Sequence, residues 1–166
     1  MKILSLDLGT KTGWAILAGP PPCTPDSGVQ TFDVRRGESP GMRYHRFRAW
    51  LREMMFMFDA GDIVIYEQAH NRGGAATQLL NGMTAIIFEE CAVAGVDHDT
   101  IHSSTLKKWA TGSGRAEKQA MIEAARRRGG TPRDDNEADA WLILCYARER
   151  YLTASRRKKP GRGKSC

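Results

Sequence analysis

Two short apolar runs in this 166-residue chain end in an acid: "ILSLDLG", with Asp7, and "IVIYEQ", with Glu67. A third group, Asp134, Asp135 and Asp139, opens the stretch "DDNEADAWLILCYARERYL". Asp135 and Asp139 are four residues apart and share one helix face. That face must also pack Leu142, Ile143 and Tyr146. Carboxylates among apolar neighbours are costly unless their charge is compensated. A divalent cation held by oxygen ligands is one partner, and a nucleotide phosphate with its metal is another. Magnesium prefers hard oxygen donors. Two such ions side by side can clamp the attacking and leaving oxygens of a phosphodiester. Taken singly, Asp135 reads equally well as a helix cap and Glu67 as an exposed strand end. The joint arrangement is much harder to explain in those terms.

The elements that position these acids follow from periodicity and turn residues. Residues 2–8 read as a first strand and 13–19 as a second, joined by a tight turn at Gly9 and Thr10. The segment 20–28, "PPPCTPDSG", reads as a loop, and 29–35 alternates apolar and polar as a third strand. Over 39–58, Met42, Phe47, Trp50, Leu51, Met54, Met55 and Phe58 recur at helical spacing, with Arg43, Arg46, Arg48 and Arg52 on the other face, read as solvated with a DNA-facing role as its alternative. A strand over 62–68, a Gly-rich loop over 70–76 and an apolar helix over 76–94 follow. The rest reads as a strand over 95–102, helices over 103–112 and 114–129 around a Gly-Ser-Gly turn, and a helix over 134–152. This order predicts an α/β fold: a five-stranded mixed sheet, three strands antiparallel and then parallel ones, flanked by helices.

Hydrophobic residues make up 41% of the chain, which fits a globular protein. The net charge is +6, yet from Arg148 onward eight Lys or Arg stand against one Glu. The sequence therefore divides into a near-neutral domain, 1–153, and a basic tail, 154–166, "ASRRKKPGRGKSC". Such tails hold nucleic acid through phosphates. The four cysteines form no C-x-x-C pair and no zinc spacing. With no secretory leader and no membrane-spanning run, a reducing, cytoplasmic setting and no membrane partner are expected.

These motifs resemble the RuvC family of Holliday-junction resolvases, within the RNase H-like superfamily. "ILSLDLGTKTGWAI" is similar to its first strand, with Asp7 as the first catalytic acid, and "IVIYEQ" to its second acidic motif, with Glu67. "LKKWATGSGRAEKQAMI" is the most specific piece: Lys107 and Lys118 correspond to basic residues near the scissile phosphate. "DDNEADAWLIL" resembles the terminal helix, with Asp139 in its Asp-Ala motif. The resemblance runs from residue 1 to about 150 and has two departures. The usual acid or His three residues before the last Asp is here Asn136, so Asp135 is taken as the fourth acid and Asn136 as a neighbour or amide ligand. The aromatic that bacterial members often carry near the junction centre is His70. The Pro-rich loop at 20–27 and the basic tail also differ from the compact bacterial enzyme, in the direction of bacteriophage homologues.

The resemblance implies magnesium, or manganese in its place, bound by Asp7, Glu67, Asp135 and Asp139. It implies cleavage of both opposed strands of a four-way junction by a homodimer, leaving 5′-phosphate and 3′-hydroxyl ends. Lys107 or Lys118 would neutralise charge at phosphorus. The helix over 76–94 is the expected dimer element, simple core burial being its other reading. Lys107, Lys118, His70, Arg72, Gly73, Gly74 and Arg115, with Arg35, Arg36 and the tail, would meet DNA. Three alternatives remain: a broader debranching nuclease acting on forks and flaps, a non-catalytic DNA-binding module, and a nucleotide-binding relative of the sugar-kinase and chaperone ATPase group, whose first phosphate turn "DLGT" resembles. The last needs two lobes, and this chain has the length of one.

Overall fold

A computed structural model describes residues 1–19, 22–68 and 73–152. His70, Arg72 and the tail from residue 154 lie outside the described residues. The elements follow in the order β1 (Ile3–Asp7), β2 (Lys11–Leu17), β3 (Asp26–Thr31), α1 (Gly41–Met54), β4 (Ile63–Glu67), α2 (Gly74–Ala94), β5 (Asp97–Ile101), α3 (Ser103–Thr111), α4 (Lys118–Arg127) and α5 (Asp135–Ala147), ending in a π-helical turn, Arg148–Leu152. They build one five-stranded mixed sheet in the order β3-β2-β1-β4-β5. β1 runs antiparallel to β2 and parallel to β4. β3 is antiparallel to β2, and β5 is parallel to β4.

Side chains alternate across a strand, and that alternation divides the core in two. Ile3, Ala15, Leu17, Ile63, Ile65 and Ile101 face a layer that includes Leu106, Met121 and Leu142 of α3, α4 and α5. Leu4, Leu6, Val64 and Tyr66 face the opposite layer, where Phe47 and Leu51 of α1 meet Met83, Ile87 and Cys91 of α2. Asp7 continues the row Ile3–Ser5, and Glu67 continues the row Ile63–Ile65. Period two therefore puts both acids on the α5 side of the sheet.

Two devices hold α5 there. Ser5, wholly buried in β1, donates its hydroxyl to the carbonyl of Ala140 at 2.8 Å, with Ala15 O at 3.0 Å. Gly13 of β2 lies directly beneath the helix start: a Cβ added there would sit 1.9 Å from Asn136 O and 2.4 Å from its carbonyl carbon. A bare backbone is thus required for the helix to reach the sheet.

Several boundaries differ from the sequence expectation. The third strand occupies Asp26–Thr31 rather than 29–35. Its early start comes from pairing of Asp26, Ser27 and Gly28 with Ile16, Ala15 and Trp14. Gly28 has no side chain because the Trp14 indole lies on it, 2.8 Å from where a Cβ would be. Beyond Thr31, Arg43 Nε and Arg46 take the carbonyls of Phe32 and Asp33, both at 2.8 Å, which leads the chain off the sheet. The arginine face of α1 is not simply solvated either. Arg48 pairs with Glu89 and Glu90, Arg52 with Glu90, and Arg46 with Glu38. Helix α4 begins at Lys118 rather than 114, since residues 113–116 close a turn with Ala116 N on Ser113 O. Helix α2 packs Met83, Ile86, Ile87 and Cys91 inward but leaves Phe88 and Val93 exposed. At the sheet edge, Phe88 stacks on His98 at 4.6 Å, while Tyr151 OH and Arg150 both engage Asp99.

The contact at Gly13 is testable. Gly13→Ala is expected to lower stability by about 1–3 kcal/mol or more, the usual cost of forcing extra volume into a packed site. Gly19→Ala, where the added Cβ meets only an ordinary 3.9 Å contact, should stay within about 0.5 kcal/mol. Denaturant melts of the two variants compare them; equal stability would remove the constraint.

Candidate active site

Leu6 pairs with Tyr66 across the parallel strands β1 and β4. The next residues, Asp7 and Glu67, therefore emerge at one level at the strands' carboxyl ends. The turn after Asp7 is tied by Thr12, whose hydroxyl donates to Gly9 O at 2.8 Å and lies 3.3 Å from Gly9 N. On the other side of Asp7 comes α5, seated on Gly13, which is itself Asp7's partner in β2.

The first turn of α5 assigns different work to neighbouring residues. Asp134 is the N-cap and accepts from Glu137 N at 2.9 Å. Glu137 is buried and accepts from Ser27 Oγ at 2.8 Å and from Arg133 N at 3.0 Å, so it clamps the helix to β3. Burial alone would raise its pKa; the Arg133 amide, the Ser27 hydroxyl and the Arg133 guanidinium outweigh that and hold it below the usual range. With capping carried by Asp134, Asp135 is left to meet Lys118, which donates to Asp135 Oδ2. Asn136 contributes its backbone to the Gly13 contact.

The electrostatics show that the acids share one field. Burial first, then the carboxylates of Asp139, Glu67, Asp135 and Asp134, push the Asp7 pKa well above the ordinary range. Asp139 is pushed up to about 7 by burial and by Glu67, against the opposing pull of Lys107. Its Oδ1 is buried without a hydrogen-bond partner among the described residues. Asp135 runs the other way: the Lys118 hydrogen bond outweighs partial burial and holds it below the usual range. Lys118 also feels Asp139 and Asp7. Four carboxylates from β1, β4 and α5 thus stand with two lysines from α3 and α4. Among the described residues no three of them are drawn into a closed metal cage. An all-oxygen donor set with mutual repulsion and an unsatisfied buried oxygen nevertheless suits a hard divalent cation.

Sequence reasoning missed Lys11. It lies on the same strand face as Gly13, and its charge helps to lower the Asp135 pKa. Its place two residues before a strand glycine, just past the Asp7 turn, was the available signal. Gly73 and Gly74 both have positive φ, 77° and 80°, with nothing within 4 Å of an added Cβ. Conformation, not crowding, explains the glycines. Arg35, Arg36 and Arg115 are exposed. Cys23, Cys91 and Cys145 are free thiols. No helix among the described residues is long and apolar enough to cross a membrane.

Raised carboxylate pKa values mean that the folded state holds protons which the unfolded chain has released. In a chelator, stability should therefore fall as pH rises from about 4, the unfolded carboxylate value, to about 7. Asp139 alone contributes a loss of the order of 4 kcal/mol. Asp135, shifted downward, acts in the opposite sense and only below about pH 4. Thermal melts at pH 5, 6.5 and 8 measure this. Asp139→Asn should flatten the slope and melt higher than the parent at pH 8; an unchanged slope would refute the shared field.

The sequence matches no protein-family model, and no curated protein sequence is similar to it. Solved structures are similar in fold. Thermus thermophilus RuvC superposes with TM-score 0.67 at 22% identity, over 91% of this chain and 98% of that one. The T. thermophilus RuvC in complex with Holliday junction substrate gives TM-score 0.70, also at 22% identity, over 91% and 97%. The yeast mitochondrial Holliday junction resolvase Ydc2 gives TM-score 0.51 at 8% identity, over 93% and 83%. With its strand order, mixed pairing and flanking helices, the chain has the RuvC-like, RNase H-like fold.

Proposed function

We propose that this protein is a magnesium-dependent endonuclease that resolves four-way DNA junctions by paired phosphodiester hydrolysis. The observation that supports it most is the single electrostatic cluster of Asp7, Glu67, Asp135 and Asp139 beside Lys107 and Lys118, on a RuvC-like fold. Asp7, Glu67, Asp135 and Asp139 would hold magnesium, or manganese in its place, with Asn136 as a neighbour. When bound, such ions activate a water and stabilise the departing 3′ oxygen.

The protein's own groups do the rest. Asp7 and Asp139 must give up the protons that their burial favours, so the site is assembled more readily at neutral pH than in acid. Lys118 donates to Asp135. Where Asp135 held magnesium, the exposed Lys118 ammonium would be available to a phosphate. Lys107 sits beside Asp139 and adds fixed positive charge where negative charge grows in the transition state. Arg115, the Gly73–Gly74 backbone and, outside the described residues, Arg72, His70 and the tail would position DNA without reading sequence. Two copies related by a two-fold axis, joined through the exposed side of α2 around Phe88, would set two sites on opposed strands.

The decisive experiment is cleavage of a labelled synthetic four-way junction beside a linear duplex and a fork. Paired, symmetric nicks in the junction with magnesium are expected. They should vanish in EDTA and fall about a hundredfold or more in Asp7→Asn. Equal cutting of the fork would mark a general debranching nuclease. Intact junction binding without metal-dependent cutting would leave a binding module and overturn the enzymatic reading.

A further inference from the structure

A groove of about 490 Å³ runs beside α3, lined by Ser104, Thr105, Lys108, Trp109, Gly114 and Tyr146. None of these residues belongs to the acid cluster. Trp109 and Tyr146 meet edge to face, with ring centroids 5.6 Å apart. The indole is held in place from two sides. The Arg128 guanidinium lies over it at 4.4 Å, and Glu149 accepts its N–H at 3.0 Å. Arg128 is itself anchored on the carbonyls of Ala110 and Ala124, at 3.1 and 3.3 Å. The aromatic pair is therefore a preorganised surface, not a loose one.

The rest of the lining is small or polar: two exposed hydroxyls, an exposed ammonium and a glycine. Gly114 keeps the turn close to α3, where a Cβ would already be 3.3 Å from Ser104 O. Among the described residues no aliphatic side chain lines the groove. The apolar part of the wall is the aromatic pair, Trp109 and Tyr146. A planar ring carrying an anion matches both the aromatic and the cationic parts. The surroundings also carry positive charge: Arg115 follows Gly114, Arg128 backs the indole, and Arg148 follows Tyr146 by two residues.

We infer that this groove holds an unpaired nucleotide of a DNA strand. The base lies against Tyr146 and Trp109, and its phosphate meets Lys108 and the hydroxyls of Ser104 and Thr105. The base must be unpaired because a duplex offers only base edges in its grooves, whereas an aromatic side chain engages a base face. The inference rests on the reading of the protein as one that binds branched DNA. It adds that the strand held at this groove carries single-stranded character, and it does not depend on the cleavage chemistry.

The test is equilibrium binding in EDTA. Fluorescein-labelled oligothymidylate and a fully paired four-way junction are titrated against the full chain, Lys108→Glu and Trp109→Leu, with melting curves to verify folding. Each variant should bind the oligonucleotide roughly five- to hundredfold more weakly, the range expected for one stacked base. Junction affinity should change less than about threefold. Lys108 is an exposed helix residue, so its variant stays informative if Trp109→Leu fails to fold. Oligonucleotide affinity unchanged in Lys108→Glu would overturn the inference, as would an equal loss for both DNAs. A parent chain that binds the junction but not the oligonucleotide would defeat the groove assignment alone; one that binds neither DNA would defeat the branched-DNA reading with it.

Discussion

The structure depends on a contact between two backbones. The first turn of α5 lies on β2 at Gly13 so closely that not even a methyl group could intervene. Gly13 is the strand partner of Asp7. The closeness of helix and strand is what brings Asp135 and Asp139 into the field of Asp7 and Glu67. The Ser5 hydroxyl on Ala140 and the Glu137 carboxylate on Ser27 fix the helix along its length and against β3. These are neutral or paired hydrogen bonds placed so that the charged groups beside them need not hold the fold together.

That division of labour explains the unequal acids. Asp134 and Glu137 are satisfied by backbone, hydroxyl and guanidinium donors and so are structural. Asp135 is satisfied by an exposed lysine, a partner that can be exchanged. Asp139 Oδ1 has no hydrogen-bond partner among the described residues, and burial with mutual repulsion raises both Asp7 and Asp139. Four consecutive positions from 134 to 137 thus carry a cap, a lysine-paired acid, a backbone contact and a clamp.

Much of this was legible in the sequence because it rests on periodicity. Strand-terminal acids at Asp7 and Glu67 follow from alternation along short apolar runs, and the mixed sheet follows from the order of runs. The ambiguity among Asp134, Asp135 and Asn136 could have been reduced by reading Asp134 and Glu137 as a cap pair, since that spacing has a physical reason. Other features were not legible because they depend on tertiary neighbours. Nothing local marks Gly28 as the seat of Trp14, and so the early start of β3 was missed. The arginines of α1 looked solvated because their partners, Glu89 and Glu90, lie some forty residues away on α2. Lys11 was passed over because its relevance requires knowing where α5 begins.

The far edge of the sheet bears on how the protein behaves in a crowded solution. An open strand edge is a template on which another chain can add itself. Here β5 is only five residues long, begins with the exposed pair Asp97 and His98, and has Phe88 stacked over one side. Arg150 and Tyr151 both hold Asp99, so the turn that ends α5 also occupies the flank of the strand. Shortness, charge and a side-chain cover act together to discourage edge-to-edge polymerisation. The same turn that closes the fold therefore protects it against aggregation.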